Sequence, residues 1–238
     1  MNDSKTFEGK LALVTGASRG IGAATAEALA AAGAHVILVA RTASALEEVE
    51  DRIHEAGGTA TIAPLDLTEG ESIGKLAVAV AERWEKLDIL VLNAAMLGSL
   101  GPVQDIDPKE YSRLLGVNLL ANQALIAAFD PLLKRADKAD VVALTSSVGS
   151  EPRAFWGAYG SSKAALETLL GAYADETEYL GRLRVHIVDP GATRTRMRAL
   201  AYPGEEPESV KPAEAVASAI VARLTAEAPS GERVRVEA

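Results

Sequence analysis

Short apolar runs alternate with amphipathic stretches along the whole chain, and this alternation constrains the fold more than any other feature of the sequence. The apolar runs are KLALVT (10–15), HVILVA (35–40), TATIAPL (59–65), DILVLN (88–93), DVVALT (140–145), RVHIVD (184–189) and, more weakly, ERVRVE (232–237). The stretches of helical length are 21–32, 43–56, 70–86, 108–134, 158–180 and 212–227. Apolar strands that alternate with helices indicate a parallel sheet covered on both faces, because each right-handed crossover lays its helix against the sheet. The sequence therefore predicts an α/β fold: a Rossmann-like, doubly wound parallel sheet of about seven strands with helices on both faces.

The continuity of this pattern bears on domain organisation. A chain of 238 residues suits one α/β domain, and no internal repeat or long linker interrupts the alternation. We therefore expect a single domain, residues 1–238. The least regular segment is 190–211, where glycine, proline and charged residues break the pattern. Its part at 192–211 is predicted to be a lid over a site, with a plain connecting loop as the alternative.

Composition argues against several classes of site and partner. The chain has no cysteine, which excludes disulfides, thiol catalysis and Cys-ligated metals. His35, His54 and His186 stand far apart without a ligand-spaced partner, so no metal site is expected. A net charge of −9 disfavours a general binder of nucleic acid or anionic membranes, because phosphate binding needs a basic surface. The expected partner is a small molecule.

The same sequence carries no signal for a membrane or for export. No uncharged apolar stretch reaches the roughly 18 residues that a membrane span requires. The first ten residues, MNDSKTFEGK, have mixed charge and no apolar core, unlike a secretory signal or a transit peptide. Together with the lack of cysteine, this predicts a cytoplasmic protein.

A glycine-rich turn, TGASRGIGAA (15–24), follows the first predicted strand and opens directly into the first predicted helix. Gly16, Gly20 and Gly22 give the spacing G-x3-G-x-G. Glycines here let the backbone approach a pyrophosphate, which then binds the exposed N–H groups at the helix N-terminus. A glycine cluster can also be purely conformational, but the strand before it and the helix after it favour a dinucleotide site.

The end of the second predicted strand bears on which dinucleotide is bound. An acidic residue at this position hydrogen-bonds the adenosine ribose and selects NAD. Here the position is Ala40, followed by Arg41, and Arg19 lies within the glycine turn. A carboxylate would repel a 2′-phosphate, whereas a guanidinium binds one through paired charge-assisted hydrogen bonds. The two arginines together favour NADP(H) over NAD(H).

Tyr159 and Lys163 lie four residues apart in AYGSSKAALET (158–168), within a predicted helix. Residues at this spacing share one helix face, so the phenol and the ammonium are expected to lie close together. A free phenol has a pKa of about 10, and a nearby cation favours its ionised form. We therefore expect Lys163 to lower the pKa of Tyr159, which would then exchange a proton with a substrate oxygen.

Seven short motifs, in this order, make the chain resemble the classical short-chain dehydrogenase/reductase family over essentially its whole length. The motifs are TGASRGIG (15–22), LDL (65–67), LNAA (92–95), GVN (116–118), TSSVG (145–149), YGSSK (159–163) and DPGATRT (189–195). The resemblance implies an oxidoreductase that transfers a hydride between NADP(H) and a carbonyl or alcohol.

The same resemblance implies a catalytic group of Asn118, Ser146, Tyr159 and Lys163. Tyr159 would be the general acid or base, Ser146 would orient and polarise the substrate oxygen, and Lys163 would also hold the nicotinamide ribose. Asn118 would position a water of the proton relay. Ser146 lies thirteen residues before Tyr159, which is the family spacing. Ser147 remains open as the alternative for this role.

Further residues are implied to bind the cofactor. They are Gly16, Ser18, Arg19, Gly20, Ile21, Gly22, Arg41, Asp66, Leu67, Asn93, Ala94, Ala95, Tyr159, Lys163, Pro190, Gly191, Thr193 and Thr195. Ala95 departs from the family pattern, which has glycine at this position. If the turn needed a positive φ there, alanine would cost stability, and we expect an adjustment without loss of function.

Two other functions share some of these features. One is a dinucleotide-binding regulator of the same fold without turnover, against which the complete catalytic group argues. The other is an extended epimerase or dehydratase, which shares the Tyr-x3-Lys pair but is usually a longer chain. Family likeness also implies a homodimer or homotetramer packed through 108–134 and 158–180. The substrate is not specified, although Met96, Phe155, Trp156, Met197 and Tyr202 suggest an apolar pocket.

Overall fold

The computed structural model describes residues 5–237, which build one seven-stranded sheet around which the helices pack. Its strands are β1 (Leu11–Thr15), β2 (His35–Ala40), β3 (Thr59–Pro64), β4 (Ile89–Leu92), β5 (Ala139–Leu144), β6 (Leu183–Asp189) and β7 (Arg233–Arg235). They stand in the order β3-β2-β1-β4-β5-β6-β7, and every neighbouring pair is parallel. The predicted doubly wound parallel sheet is confirmed.

Helices connect the strands, as the alternation predicts. They are α1 (Gly20–Ala31), α2 (Ala43–Glu55), α3 (Ser72–Arg83), α4 (Pro108–Leu115), α5 (Ala121–Leu133), α6 (Ser147–Ser150), α7 (Gly157–Thr177), α8 (Arg196–Ala201) and α9 (Ala213–Thr225). A π-helical turn, Gly116–Leu120, divides the predicted helix at 108–134 into α4 and α5. The short helices α6 and α8 fall in segments with no helical periodicity, so the sequence pattern does not predict them.

The helices bury their apolar faces on both sides of the sheet. On one side, Val80 of α3, Phe129 of α5 and Leu166 of α7 pack with strand residues such as Leu13 and Val141. On the other side, Leu29 of α1, Val49 of α2 and Ile220 of α9 pack with strand residues such as Val36 and Val91. Each such side chain contributes about 1.5–3 kcal/mol when it leaves water, so these two layers fix the sheet and its helices together.

The strand order reverses between β1 and β4, because the chain winds outward to β3 and then returns to the centre of the sheet. The loops that follow β1 and β4 therefore lead to opposite faces and leave a crevice at the carboxyl edge of the sheet. Ligands of open α/β sheets bind at this switch point. The predicted site motifs follow β1, β4, β5 and β6 at this edge.

The helical run Pro108–Leu133 is long and apolar enough to cross a membrane by length and composition alone. In the structure its residues Leu125, Ile126 and Phe129 belong to the core beneath the sheet. A core helix of a globular protein passes the same test, so the run gives only weak support for a membrane span.

The segment predicted as a lid, 192–211, is more ordered in structure than its sequence pattern indicates. It contains α8 and a 3-10 turn, Pro207–Ser209. Its two ends are paired, since Thr193 and Lys211 form an isolated bridge and the Arg194 N–H donates to the Lys211 carbonyl at 2.8 Å. The segment is therefore an excursion that leaves and returns at one point of the carboxyl edge.

Candidate active site

The glycine turn after β1 has the backbone that its sequence predicts. Gly16 and Gly20 have φ angles of 65° and 57°, in the left-handed region that favours glycine. Helix α1 begins at Gly20 with no side-chain cap and no acidic residue in its first turn. No side chain of residues 5–237 accepts from its first N–H groups, and the positive end of the helix faces the crevice. This arrangement fits the pyrophosphate of a dinucleotide.

Gly22 and Asn93 show why the turn after β1 and the turn after β4 must approach closely. A Cβ atom at Gly22 would lie 2.3 Å from the Gly16 carbonyl oxygen and 2.4 Å from Asn93 Nδ2. The Asn93 amide donates to the carbonyl oxygens of Thr15 at 2.8 Å and Gly16 at 3.2 Å. The hydroxyl of Thr15 accepts from the N–H groups of Asn93 and Ala94 at 3.0 and 3.1 Å. These bonds lock the two turns of the crevice together.

Ala95 fits its position without backbone strain. Within residues 5–237 the one non-glycine residue with a positive φ is Phe155, at 71°. The turn after β4 therefore does not use the left-handed region at Ala95, and the penalty that alanine would suffer there does not arise.

Arg19 and Arg41 lie on neighbouring turns at the carboxyl ends of β1 and β2. The Ala17 N–H donates to the Val39 carbonyl at 3.1 Å, which ties the glycine turn to the end of β2. Both arginines are exposed. Asp66, in the turn after β3, accepts hydrogen bonds from the Thr68 hydroxyl at 2.7 Å and from the Thr68 N–H at 2.9 Å. These two bonds lower the pKa of Asp66, and the charge of Arg41 lowers it further. This corner is therefore open and positively charged at its rim.

The predicted catalytic tyrosine and lysine lie on one face of α7, one helical turn apart. Lys163 Nζ is 5.8 Å from the centroid of the Tyr159 ring. Both side chains are buried, with 7% of Tyr159 and 2% of Lys163 exposed. Lys163 Nζ donates to the Leu144 carbonyl at 2.7 Å, at the end of β5. Among residues 5–237, the Tyr159 hydroxyl has one hydrogen-bond partner, the weak acceptor Met197 Sδ of α8 at 3.8 Å.

The expectation that Lys163 lowers the pKa of Tyr159 is wrong for this structure. Burial raises the pKa of the Tyr159 phenol above its ordinary value, and the negative charge of Asp189 raises it further. Burial also lowers the pKa of the Lys163 ammonium to about 8, although Glu167 partly opposes this. The ammonium is bound to a carbonyl rather than to the phenol oxygen, and loss of water outweighs its attraction for phenolate.

Ser146 and Ser147 stand at the junction of β5 and α6. Ser146 has an extended backbone and precedes α6, whereas Ser147 is the first residue of this helix. Helix α6 packs so closely on α7 that a Cβ atom at Gly160 would lie 2.8 Å from the Val148 carbonyl oxygen. On the facing side, a Cβ atom at Gly149 would lie 3.1 Å from Lys163 Cβ. The two glycines thus bring the serines close to the helix that carries Tyr159 and Lys163.

Asn118 lies in the π-helical turn between α4 and α5 and is fully buried. Its Oδ1 accepts from the Met96 N–H at 2.8 Å, and its Nδ2 donates to the Met96 carbonyl at 2.9 Å and to Ser162 Oγ at 3.0 Å. The side chain therefore joins the loop after β4 to α7. Its backbone carbonyl also accepts from Asn122 Nδ2 at 2.8 Å.

The turn after β6 lies against the glycine turn. Gly191 has a φ of 63°, and its N–H donates to Asp189 Oδ1 at 3.0 Å. The Thr193 hydroxyl donates to the Pro190 carbonyl at 3.0 Å. Thr195 caps α8, and its Cγ2 lies 3.4 Å from where a Cβ atom of Gly20 would stand. The two ends of the predicted cofactor site therefore meet across the crevice.

Aromatic residues join α8 to the side of the site where Tyr159 lies. The Trp156 ring lies 6.0 Å from that of Tyr159 and 5.8 Å from that of Tyr202. Arg198 stacks on Tyr202 at 3.7 Å and forms paired hydrogen bonds with Glu205 at 2.6 and 2.5 Å. Arg198 is therefore a structural residue of the segment 192–211 rather than a free charge facing a substrate.

Three residues of this region were not identified from the sequence. Thr145, directly after β5, donates a hydrogen bond to Glu167 of α7, and Arg233 of β7 contacts Glu167 at 3.2 Å. The spacing of Glu167 from Lys163 is i to i+4 and is a signal that sequence reasoning can use. Arg233 lies in the weakest strand pattern and has no such signal. Within residues 5–237 no cluster of His, Asp or Glu fits a metal ion.

Comparison with known proteins agrees with this geometry. A family model for the short chain dehydrogenase matches residues 10–206. The chain is 40% identical over 205 residues to the uncharacterized oxidoreductase YciK of Escherichia coli strain K12, which covers 85% of this chain and 81% of that protein.

Solved structures of short chain dehydrogenases superpose on nearly the whole chain. One from Pseudomonas syringae has a TM-score of 0.94 at 37% identity and covers 100% of this chain and 98% of its own. One from Escherichia coli CFT073, complexed with NADPH, has a TM-score of 0.92 at 34% identity and covers 99% of this chain and 100% of its own. The chain therefore belongs to the short-chain dehydrogenase family of oxidoreductases.

Proposed function

We propose that the protein is an NADPH-dependent reductase of small carbonyl compounds, with Tyr159 as the proton donor. The observation that carries this proposal is the buried pair on α7, where Tyr159 and Lys163 share one face at the carboxyl edge of the sheet. In the described part of the chain, 5–237, the Tyr159 hydroxyl is bonded only to a sulfur atom, and weakly, so it is available to a substrate oxygen.

NADP(H) fits the crevice between the turns after β1, β4 and β6. The N-terminus of α1 would bind the pyrophosphate, and Arg19 and Arg41 would bind the 2′-phosphate. Asp66, Leu67 and the turn Asn93–Ala95 would contact the adenosine, while the segment 190–195 would hold the nicotinamide end. The bound cofactor supplies the hydride, and the protein supplies placement and electrostatics.

The protonated state of the buried Tyr159 phenol fits the role of proton donor in reduction. Carbonyl reduction needs a protonated group beside the substrate oxygen, and burial keeps the phenol protonated at neutral pH. Oxidation of an alcohol needs the phenolate, which the buried site and the charge of Asp189 both disfavour. The proposed step is therefore transfer of the Tyr159 hydroxyl proton to the carbonyl oxygen as hydride reaches the carbon.

Three other residues would assist this step. The Ser146 hydroxyl would donate to the same substrate oxygen and fix its position. Lys163, still mainly protonated at neutral pH with a pKa of about 8, would hold the nicotinamide ribose. Asn118 would position a water that returns a proton toward Tyr159.

The segment 192–211 would act as the lid of this site. Met197 of α8 lies against the Tyr159 hydroxyl, and Trp156 and Tyr202 form an aromatic wall beside it. A substrate oxygen would take the place of the sulfur, so its carbon skeleton would meet apolar side chains. We propose a single domain in the cytoplasm, acting on a small molecule rather than on nucleic acid or a membrane.

The preference for NADPH over NADH is tested by replacing Arg41. In Arg41→Ala, fluorescence titration should show NADPH binding about tenfold weaker and NADH binding unchanged, because only NADPH carries the 2′-phosphate. Arg182→Ala, an exposed arginine at the amino end of β6, is the matched control and should change neither affinity. Equal affinities of the unaltered protein for both cofactors would refute the preference.

The proposed reaction is tested by a panel of aldehydes and ketones with the intact protein. The rate of NADPH oxidation, followed by the absorbance of reduced nicotinamide at about 340 nm, should exceed the rate without carbonyl for compounds with apolar skeletons. NADPH binding with no turnover of any carbonyl or alcohol would instead support the regulatory alternative.

Measurement of mass in solution should give a dimer or tetramer, and a monomer would contradict the proposed oligomer.

A further inference from the structure

Arg233 of β7 joins three segments of the candidate site through one guanidinium group. Its Nη2 donates to the Ser146 carbonyl at 3.3 Å and to Asp189 Oδ2 at 3.2 Å. Its Nε donates to Glu167 Oε1 at 3.2 Å. The side chain of Arg233 is 30% exposed, so most of it lies within the protein. One side chain therefore reaches the ends of β5 and β6 and the body of α7.

Each acceptor is linked in turn to a predicted site residue. Ser146 is the serine proposed to hold the substrate oxygen. Asp189 uses its other oxygen to accept from the Gly191 N–H at 3.0 Å, which shapes the turn proposed to hold nicotinamide. Glu167 stands one helical turn beyond Lys163 and accepts from the Thr145 hydroxyl. Arg233 is thus bonded to the frame of the site rather than to its reacting groups.

The charges of this cluster balance only with Arg233. Asp189 and Glu167 have side chains that are 2% and 16% exposed, and Arg233 pairs with both. Within residues 5–237 neither carboxylate has another salt bridge. Removing one partner of a buried ion pair leaves an uncompensated charge in a medium of low dielectric constant. Loss of Arg233 would leave Asp189 without its ion-pair partner, and Glu167 with only the longer-range attraction of Lys163.

We propose that Arg233 is a positioning residue of the reaction, which holds the Ser146 backbone and the Asp189–Gly191 turn in register with α7. The inference rests on the proposed function, since it assigns a task to the residues that this function uses. Strand β7 has only three residues and stands at the sheet edge, so its contribution to the fold is small compared with that of the central strands. Arg233 also lies beyond residues 10–206, where the family model matches.

Arg184 provides a matched control for the loss of a partly buried arginine. It donates to Asp140 Oδ1 at 2.8 Å and to the carbonyls of Ala226 and Leu224 at 2.7 and 2.8 Å. It therefore also has one guanidinium and three acceptors, but at the amino end of β6, away from the candidate site. Arg233→Met and Arg184→Met should both lower the melting temperature.

The two variants should differ in catalysis and in cofactor binding. With a carbonyl found by the panel, Arg233→Met should lose at least about tenfold in kcat, and its NADPH Kd should rise severalfold. Arg184→Met should keep both values within about twofold. Arg233→Lys keeps the charge but cannot reach three acceptors at once, so it should fold well and give an intermediate kcat.

A pH profile separates positioning from general loss of stability. Lys163 of α7 lies beside the Tyr159 ring, and the charge of Asp189 on β6 acts on the phenol. Arg233 on β7 pairs with Asp189 and with Glu167 on α7, which in turn attracts Lys163. Without Arg233, the unpaired carboxylate of Asp189 opposes ionisation of the phenol more strongly, so the rising limb of alcohol oxidation should move to higher pH by about half a unit or more. Arg184→Met should leave the limb unchanged.

The outcomes separate this inference from the proposed function. If the unaltered protein turns over but Arg233→Met matches Arg184→Met in kcat, Kd and pH profile, the positioning role is overturned. If Arg233→Met does not fold, Arg233→Lys with unaltered kcat and pH profile overturns it equally. If the unaltered protein reduces no carbonyl, the proposed function fails. If, in addition, all variants bind NADPH with the same Kd, the role of Arg233 in holding the Asp189–Gly191 turn is overturned as well.

Discussion

At the scale of single residues, spacing predicts geometry better than it predicts electrostatics. The interval from Tyr159 to Lys163 places both side chains on one face of α7, as i and i+4 positions require. It does not predict the pKa of either group, because that depends on burial by Met197, Trp156 and the end of β5, which are distant in sequence. The direction of the pKa shift therefore became known only from the structure.

The choice between Ser146 and Ser147 is a prediction at this scale. Ser146→Ala should lower kcat by about 100-fold or more, because the substrate oxygen loses a hydrogen-bond donor in the transition state. Ser147→Ala should change kcat by less than about threefold, since Ser147 begins helix α6. Steady-state kinetics with one carbonyl substrate decide the matter, and the reverse pattern would assign the role to Ser147.

Burial of Lys163 predicts a pH-dependent effect on stability. The pKa of Lys163 is lowered from 10.5 to about 8 in the folded protein, so the unfolded chain binds more protons between these values. Stability from this group therefore rises as the pH rises through that window, and charged Lys163 is unfavourable below it. At pH 7, removing the buried charge in Lys163→Met should raise the free energy of unfolding by about 1–3 kcal/mol. Loss of the hydrogen bond to the Leu144 carbonyl should offset about 1 kcal/mol of this gain.

Urea unfolding from pH 7 to 10.5 checks this prediction. The difference in free energy of unfolding between Lys163→Met and the unaltered protein should shrink as the pH approaches 10.5, the ordinary pKa of a lysine side chain. Lys75→Met, on the exposed face of α3, is the control and should show no such trend. A difference that stays constant or grows with pH would contradict the burial of a charged Lys163.

At the scale of elements, long periodic helices and apolar strands were predictable, whereas the short helices that complete the site were not. Helix α6 has four residues and α8 has six, too few to show a helical period. Helix α8 does have a local signal, because Thr195 caps it by accepting from the Arg198 N–H at 3.1 Å. The π-helical turn around Asn118 interrupts a periodic stretch without any sequence signal that we can identify.

The contact between α6 and α7 predicts a difference between two glycines of α7. Gly160→Ala should destabilise the protein by about 1–3 kcal/mol and lower kcat, because its methyl group would lie 2.8 Å from the Val148 carbonyl and push Ser146 away from Tyr159. Gly171→Ala has open space and should stabilise α7 by about 0.5–1 kcal/mol without changing kcat. Thermal unfolding and steady-state kinetics measure both effects. Equal behaviour of the two variants would contradict the packing described.

At the scale of the whole molecule, the fold followed from the sequence because the central strands β1, β4 and β5 are buried on both faces. Near-continuous apolar strands leave few alternatives to a parallel sheet, and right-handed crossovers then limit its winding. The carboxyl edge of that sheet collects the motifs that follow β1, β4, β5 and β6, so the site was predictable in outline. The contacts of Arg233 were not, since they join β6, β7, α7 and the turn after β5, whose relative positions only tertiary packing sets.

The central claim is that Tyr159 gives the proton to a carbonyl that NADPH reduces. Its most direct test is single-turnover oxidation of bound NADPH by a carbonyl substrate, compared between the unaltered protein and Tyr159→Phe. The account predicts an NADPH Kd within about twofold and a rate that falls by about 10²–10⁴-fold, since only the acid group is removed. A Tyr159→Phe variant that keeps its rate within about tenfold of the unaltered protein would contradict the claim.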